Sequence, residues 1–159
     1  MIAGKSENQP MCEATIRCEF DEYLTITVHG RSHPGCTDYW DGNWVRAFVE
    51  VSVGGFRGSV SGDLRTEELK VFHEQLTRLQ ESLQGTAELE TMESWLSIHA
   101  SGDGCGHMAF RCVIRDQPGI GNTLECLLST DQTFTRSTVA ELTTMVKTYP
   151  VIDKIGRDL

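Results

Sequence analysis

Residues 44 to 64 leave this chain little freedom. The stretch from Trp44 to Val53 places Val45, Ala47, Val49, Val51 and Val53 at every second position, the period of a strand with one buried face. Gly54-Gly55 follows at once, and such a pair tolerates the positive φ that a two-residue hairpin turn demands. Folding back over that turn sets Val53 opposite Phe56, Val49 opposite Val60 and Val45 opposite Leu64, all on one face. On the other face it sets Arg46 opposite Asp63, an opposite-charge pair that a one-residue slip would destroy.

The hairpin runs directly into a helix. Thr66 is the expected N-cap, with Glu67 and Glu68 in the first turn at the positive end of the dipole. Leu69, Phe72, Leu76, Leu79 and Leu83 recur at three- and four-residue steps, one stripe facing a sheet. Glu74 and Arg78 stand four apart on the opposite face, and Gly85 is the expected C-cap. Upstream, Ala14, Ile16, Cys18 and Phe20 alternate with polar residues, Asp21-Glu22 breaks the strand, and Leu24, Ile26 and Val28 begin another. Downstream, alternation predicts four strands, around Ala87 and Leu89, Leu96 to Ala100, Met108 to Ile114, and Leu124 to Leu128, with turns at 101–106 and 116–122. Asp131 or Thr133 opens a last helix that turns Val139, Leu142, Met145 or Val146, and Tyr149 inward, and Pro150 closes it.

This order predicts an α+β fold: an antiparallel β-meander sheet with two amphipathic helices packed on one face. Residues 12–150 form a single domain, preceded by a flexible N-terminus over 1–11 and followed by a C-terminal tail over 151–159. The sequence shows no internal repeat.

Charge and cysteine placement narrow the function classes. A net charge of −9 argues against nucleic acid, whose binding draws affinity from Lys and Arg on phosphates. It fits either a solvated acidic surface with no further meaning or a basic protein partner steered by complementary charge. There is no apolar run of membrane-spanning length and no signal-like apolar stretch after Met1, so a cytoplasmic protein without a membrane partner is expected. Cys18, Cys112 and Cys126 fall at alternating apolar positions, no CxxC occurs, and all six cysteines are expected as thiols.

Candidate chemistry is sparse. His33, Cys36, Cys105 and His107 are the right kinds of ligand for a zinc or small-ligand site, although nothing in their spacing brings the two pairs together. Gly102, Gly104 and Gly106 imitate a phosphate cradle, but a strand rather than a helix follows them, which favours a glycine-rich turn. Asp103 near His107 is either an acid–base pair or turn chemistry. No serine-nucleophile motif is present, and no enzyme is expected. The segment 29–43 reads as the longest loop, and it carries Tyr39 and Trp40 between Asp38 and Asp41. That is either an exposed aromatic patch for a partner or a pair of rings capping the core.

Several short stretches occur together in order: Asn43-Trp44, Glu50 through Gly58, Thr66 through Leu69, Trp95-Leu96-Ser97, Gly102 through His107, Arg115 through Asn122, and Asp131-Gln132-Thr133. Through them the stretch from Asn43 to Pro150 resembles the WapI family of bacterial immunity proteins, which protect a cell from its own polymorphic or contact-dependent toxins. The resemblance implies a small cytoplasmic protein that binds a cognate toxin domain and blocks it, without catalysis or a cofactor. Partner specificity is expected in the variable surfaces, with Asp38, Tyr39, Trp40 and Asp41 as the partner-binding residues.

Overall fold

The computed structural model describes residues 9–155. Residues 1–8 and 156–159 lie outside the described residues, and with them most of the expected flexible N-terminus and the end of the expected tail. The chain runs β1 (Cys12–Arg17), β2 (Tyr23–Arg31), α1 (Tyr39–Gly42), β3 (Trp44–Val53), β4 (Phe56–Arg65), α2 (Thr66–Ser82), β5 (Gln84–Glu90), β6 (Leu96–Asp103), β7 (His107–Arg115), β8 (Thr123–Asp131) and α3 (Gln132–Thr148).

The fold is α+β, and its strands pair as antiparallel meanders. The meander is divided at α2 into two four-stranded sheets, β1-β2-β3-β4 and β5-β6-β7-β8. Each sheet ends in a helix of 17 residues, so the architecture is a ββββα unit used twice, which no sequence repeat announces. The helices are exchanged between the units: α2 packs chiefly on β5 and α3 on β1. Polar side chains accompany that exchange. Thr15 N–H donates to Glu141 Oε1 at 3.2 Å, and Thr138 Oγ1 donates to the Thr15 carbonyl at 2.7 Å. On the other side, Glu88 N–H donates to Gln75 Oε1 at 2.8 Å.

The β3–β4 hairpin has the register expected from its sequence over its whole length, from Val53 opposite Phe56 to Trp44 opposite Arg65. Gly54 takes a positive φ of 55° while Gly55 does not, the pattern of a II′ turn with glycine first. Arg46 does stand opposite Asp63, yet the Asp63 carboxylate accepts its hydrogen bond from the Ser32 hydroxyl at 2.8 Å. Val45, Val49, Val51, Leu64, Leu69, Phe72, Leu76 and Leu79 join one buried core with Leu96, Ile98, Phe110 and Leu142. Trp95, 1% exposed, lies against β4 with its indole N–H on the Asp63 carbonyl at 2.7 Å. A Cβ on Gly62 would come within 2.4 Å of that ring, so only glycine admits the tryptophan there.

Several local expectations are corrected. Phe20 is not the last buried residue of β1: the strand stops at Arg17, and Phe20 and Asp21 both turn at φ 61°, leaving Phe20 92% exposed. β2 continues to Arg31 through an irregularity between Val28 and Gly30, so the expected loop 29–43 shrinks to residues 32–38, a short helix and Asn43. Arg65, not Thr66, is the N-cap of α2, and the helix is ended by Leu83 in the left-handed region rather than by Gly85. Beyond α3, Val151 and Ile152 are buried.

Candidate functional site

A helix of four residues cannot sustain itself, because nucleation fixes several dihedrals for a single hydrogen bond. α1 is held from outside. Asp38 Oδ2 accepts the N–H groups of Trp40 at 3.1 Å and Asp41 at 2.9 Å, a capping arrangement. Those bonds, the Asp41 N–H first, hold the Asp38 carboxyl below its usual range.

The underside of α1 rests on Arg65, which is 1% exposed. Its Nη1 donates to the Trp40 carbonyl at 2.8 Å, its Nη2 to the Tyr39 carbonyl at 2.9 Å, and its Nε to Glu67 Oε1 at 2.5 Å. The guanidinium also lies 5.3, 5.6 and 5.1 Å from the ring centres of Tyr39, Trp40 and Trp44, within cation–π range of three aromatic faces. A planar fork with fixed donors suits such a site better than a lysine would. Tyr39 donates its hydroxyl to Glu67, which raises the phenol's pKa. Burial works to raise the Glu67 carboxyl, but the Tyr39 hydroxyl and Arg65 outweigh it and the net shift is downward.

Asn43 completes the support. It is fully buried, donating to the Tyr39 and Ile152 carbonyls at 2.9 and 2.8 Å and accepting from Thr66 Oγ1 and the Ile152 N–H. The residues after α3 are thereby tied to α1. Lys154 reaches over the Tyr39 ring at 5.6 Å, and a shallow cleft of about 360 Å³ runs between Tyr39, Val71, Glu74 and Val151.

The result is a fixed platform with an exposed top. Trp40 is 64% exposed, its ring edge-on to Tyr39 at 5.1 Å, with the exposed carboxylates of Asp38 and Asp41 beside it. Chemically this arrangement offers a held aromatic surface with negative charge at its margin, suited to docking rather than to bond-making. Arg65 and Asn43 were not singled out from the sequence. The Arg65 pairing was within reach, since the hairpin register, continued one residue past the Val45–Leu64 pair, sets it opposite Trp44.

The other candidate residues are dispersed. Cys36 groups with Asp38 and Asp41, their ligand atoms within 4.8 Å of one another, and among the described residues no such group contains His33, Cys105 or His107. The structure therefore does not bring the four proposed zinc ligands together. At the β6–β7 turn, Asp103 accepts the N–H groups of Cys105 and His107 and pairs with His107 Nδ1 at 2.8 Å, which is turn chemistry. A larger open concavity of about 670 Å³ lies nearby, under the exposed Phe20. Two of its carboxylates are already engaged, Asp103 with His107 and Asp131 as the N-cap of α3.

No helix among the described residues is long and apolar enough to cross a membrane. Comparison with known proteins adds three findings. The model of the immunity protein WapI-like family matches residues 17–150. No curated protein matches the chain. Among solved structures, MRP1/MRP2 of Trypanosoma bruciei is similar at a TM-score of 0.47 and 12% identity, covering 88% of this chain and 85% of that one.

Proposed function

The chain belongs to the immunity protein WapI-like family, and from that membership we propose that it binds and neutralises a cognate bacterial toxin domain in the cytoplasm. The docking face we assign is Asp38, Tyr39, Trp40 and Asp41. The observation that carries this assignment is the combination at Trp40: an indole 64% exposed on a backbone pinned by a buried arginine. Exposed tryptophans of this kind are the residues that dominate interfaces, at ~2 kcal/mol or more each. Holding one rigid before contact lowers the ordering cost of binding.

Charge supports the same partner. The net charge of −9 and the carboxylates beside Trp40 favour a cationic surface and speed its encounter. A nuclease toxin carries such a surface where it holds phosphates, and occupying it would block substrate. The protein acts here as a binder and not as a catalyst.

The test is a double variant, Trp40→Ala with Asp41→Ala, titrated against a toxin domain sought among the genes next to this one. Binding is expected to weaken by about thirtyfold or more, from the ~2 kcal/mol of one lost anchor, while the thermal midpoint falls by only about 2–4 °C, from the ~1 kcal/mol of the lost aromatic face over Arg65. Unchanged affinity at that small loss of stability would move the interface away from α1.

A further inference from the structure

The outer edges of the two sheets are not treated alike. β1 is capped by Glu141 and Thr138 of α3, and β5 by Gln75 of α2. The remaining edges are β8, whose Thr130 hydroxyl donates to the Arg17 carbonyl of β1 at 2.6 Å, and β4, which has cover at one end only. Because Val53 and Phe56 close a two-residue turn, they form a hydrogen-bonded pair, and the antiparallel alternation then directs the N–H and C=O of Arg57, Ser59, Ser61 and Asp63 away from β3. Asp63 bears this out, since its carbonyl accepts the Trp95 indole N–H from outside the sheet. The outward groups of Arg57, Ser59 and Ser61 meet no partner among the described residues.

Exposed edges are ordinarily blunted by charged side chains, here Arg57 and Asp63, or by a bulge, a proline or shortness, the last three of which break or block the pairing itself. β4 has no bulge, proline or shortness: ten residues pair with β3 in unbroken register. Beside it lies an apolar groove of about 300 Å³ between Val49 and Val60 of the first sheet and Ile114 and Leu124 of the second. Phe56, 67% exposed, stands at its mouth.

Resting on the immunity reading above, we infer that the edge of β4 at residues 57–61 accepts an extended segment of the toxin domain as a fifth strand of the first sheet. Main-chain bonds at Arg57, Ser59 and Ser61 supply the attachment, and alternate apolar side chains of the segment enter the groove. Charge selects this occupant over a second copy of the chain, which would bring a further nine negative charges against the same surface. The place is also continuous with the α1 platform. Arg65, which holds Trp40, is six residues along the same strand from Ser59, about 20 Å at ~3.3 Å per residue. A partner of ordinary interface size spans both.

Hydrogen exchange resolved by residue, on the free protein and on its mixture with that toxin domain, tests the inference. The amides of Arg57, Ser59 and Ser61 are expected to exchange freely in the unbound protein and to slow by about tenfold or more in the complex. The inward-bonded amides of Gly58 and Val60 serve as the internal reference. Ser59→Pro removes one outward N–H at an edge position that tolerates proline, and should weaken binding by about tenfold while Ser59→Ala does not. If the proline variant does not fold, the exchange measurement decides. A complex in which the three amides stay unprotected overturns strand addition and leaves the immunity reading standing. Absence of any complex overturns both. Protection that rises with protein concentration alone, with a doubled mass, assigns the edge to a second copy and overturns the toxin as occupant.

Discussion

Arg65→Ala removes the support beneath the platform, and its cost can be worked from the contacts. The variant loses donors to two backbone carbonyls and to Glu67, together with three aromatic faces that enclosed the guanidinium. Breaking a buried charge pair by removing one partner costs ~3–5 kcal/mol. Glu67 keeps about a third of its side-chain exposure, so water can re-solvate part of what is left. The lower end, about 3 kcal/mol, is therefore the appropriate figure. For a chain of this size that is a fall of roughly 6–12 °C in the thermal midpoint, measurable by calorimetry or circular dichroism. Arg65→Lys should recover little of it, because an ammonium cannot reach three acceptors in one plane. A loss below ~1 kcal/mol, ordinary for a surface change, would refute the claim that Arg65 holds α1 in place.

Three further outcomes follow from the same structure. Val49→Asp puts an unpaired charge at a fully buried site and should abolish cooperative unfolding at ambient temperature, whereas Glu50→Lys on the outer face should cost far less; equal, small losses would mean the faces of β3 are misassigned. Thiol titration of denatured, unreduced protein should count six cysteines, with exposed Cys105 reacting first and buried Cys112 last under native conditions; two or more oxidised pairs would contradict it. Burial lifts the Glu68 carboxyl from its ordinary 4.5 to about 6 despite the N–H groups of Arg65 and Met92 that it accepts. A carboxyl raised on folding contributes stability that is present below pH 4.5 and lost as pH rises through 6, so Glu68→Gln should flatten the stability profile across that window, and an unchanged profile would show the group is not desolvated.

Much of the fold was legible because a strand with one dry face writes its register into every second residue. The β3–β4 pairing and the buried stripe of α2 are cases where local pattern and tertiary packing agree. The division into two sheets was not legible, since alternation tells which face of a strand is buried and not which sheet the strand joins. Phe20 departs from the pattern for a related reason: the alternation from Ala14 to Cys18 continues onto it, and no glycine marks the positive φ of the turn that follows the strand. Leu83 ends α2 in the same unmarked way. At the site, Trp40 and its neighbouring carboxylates could be named from composition, but α1 is too short to carry a helical period. Arg65 looks in sequence like any surface arginine, and only the meeting of α1 with the strand–helix junction makes it a buried one.

On the proposed function, this protein neutralises a toxin by binding it stoichiometrically. The decisive measurement is the activity of a toxin domain, sought among the genes next to this one, titrated with the intact protein at concentrations well above the dissociation constant. Activity is expected to fall linearly and to be abolished near one equivalent, with a complex of matching mass recovered from the mixture. Full toxin activity in the presence of excess protein, with no complex formed, would contradict it.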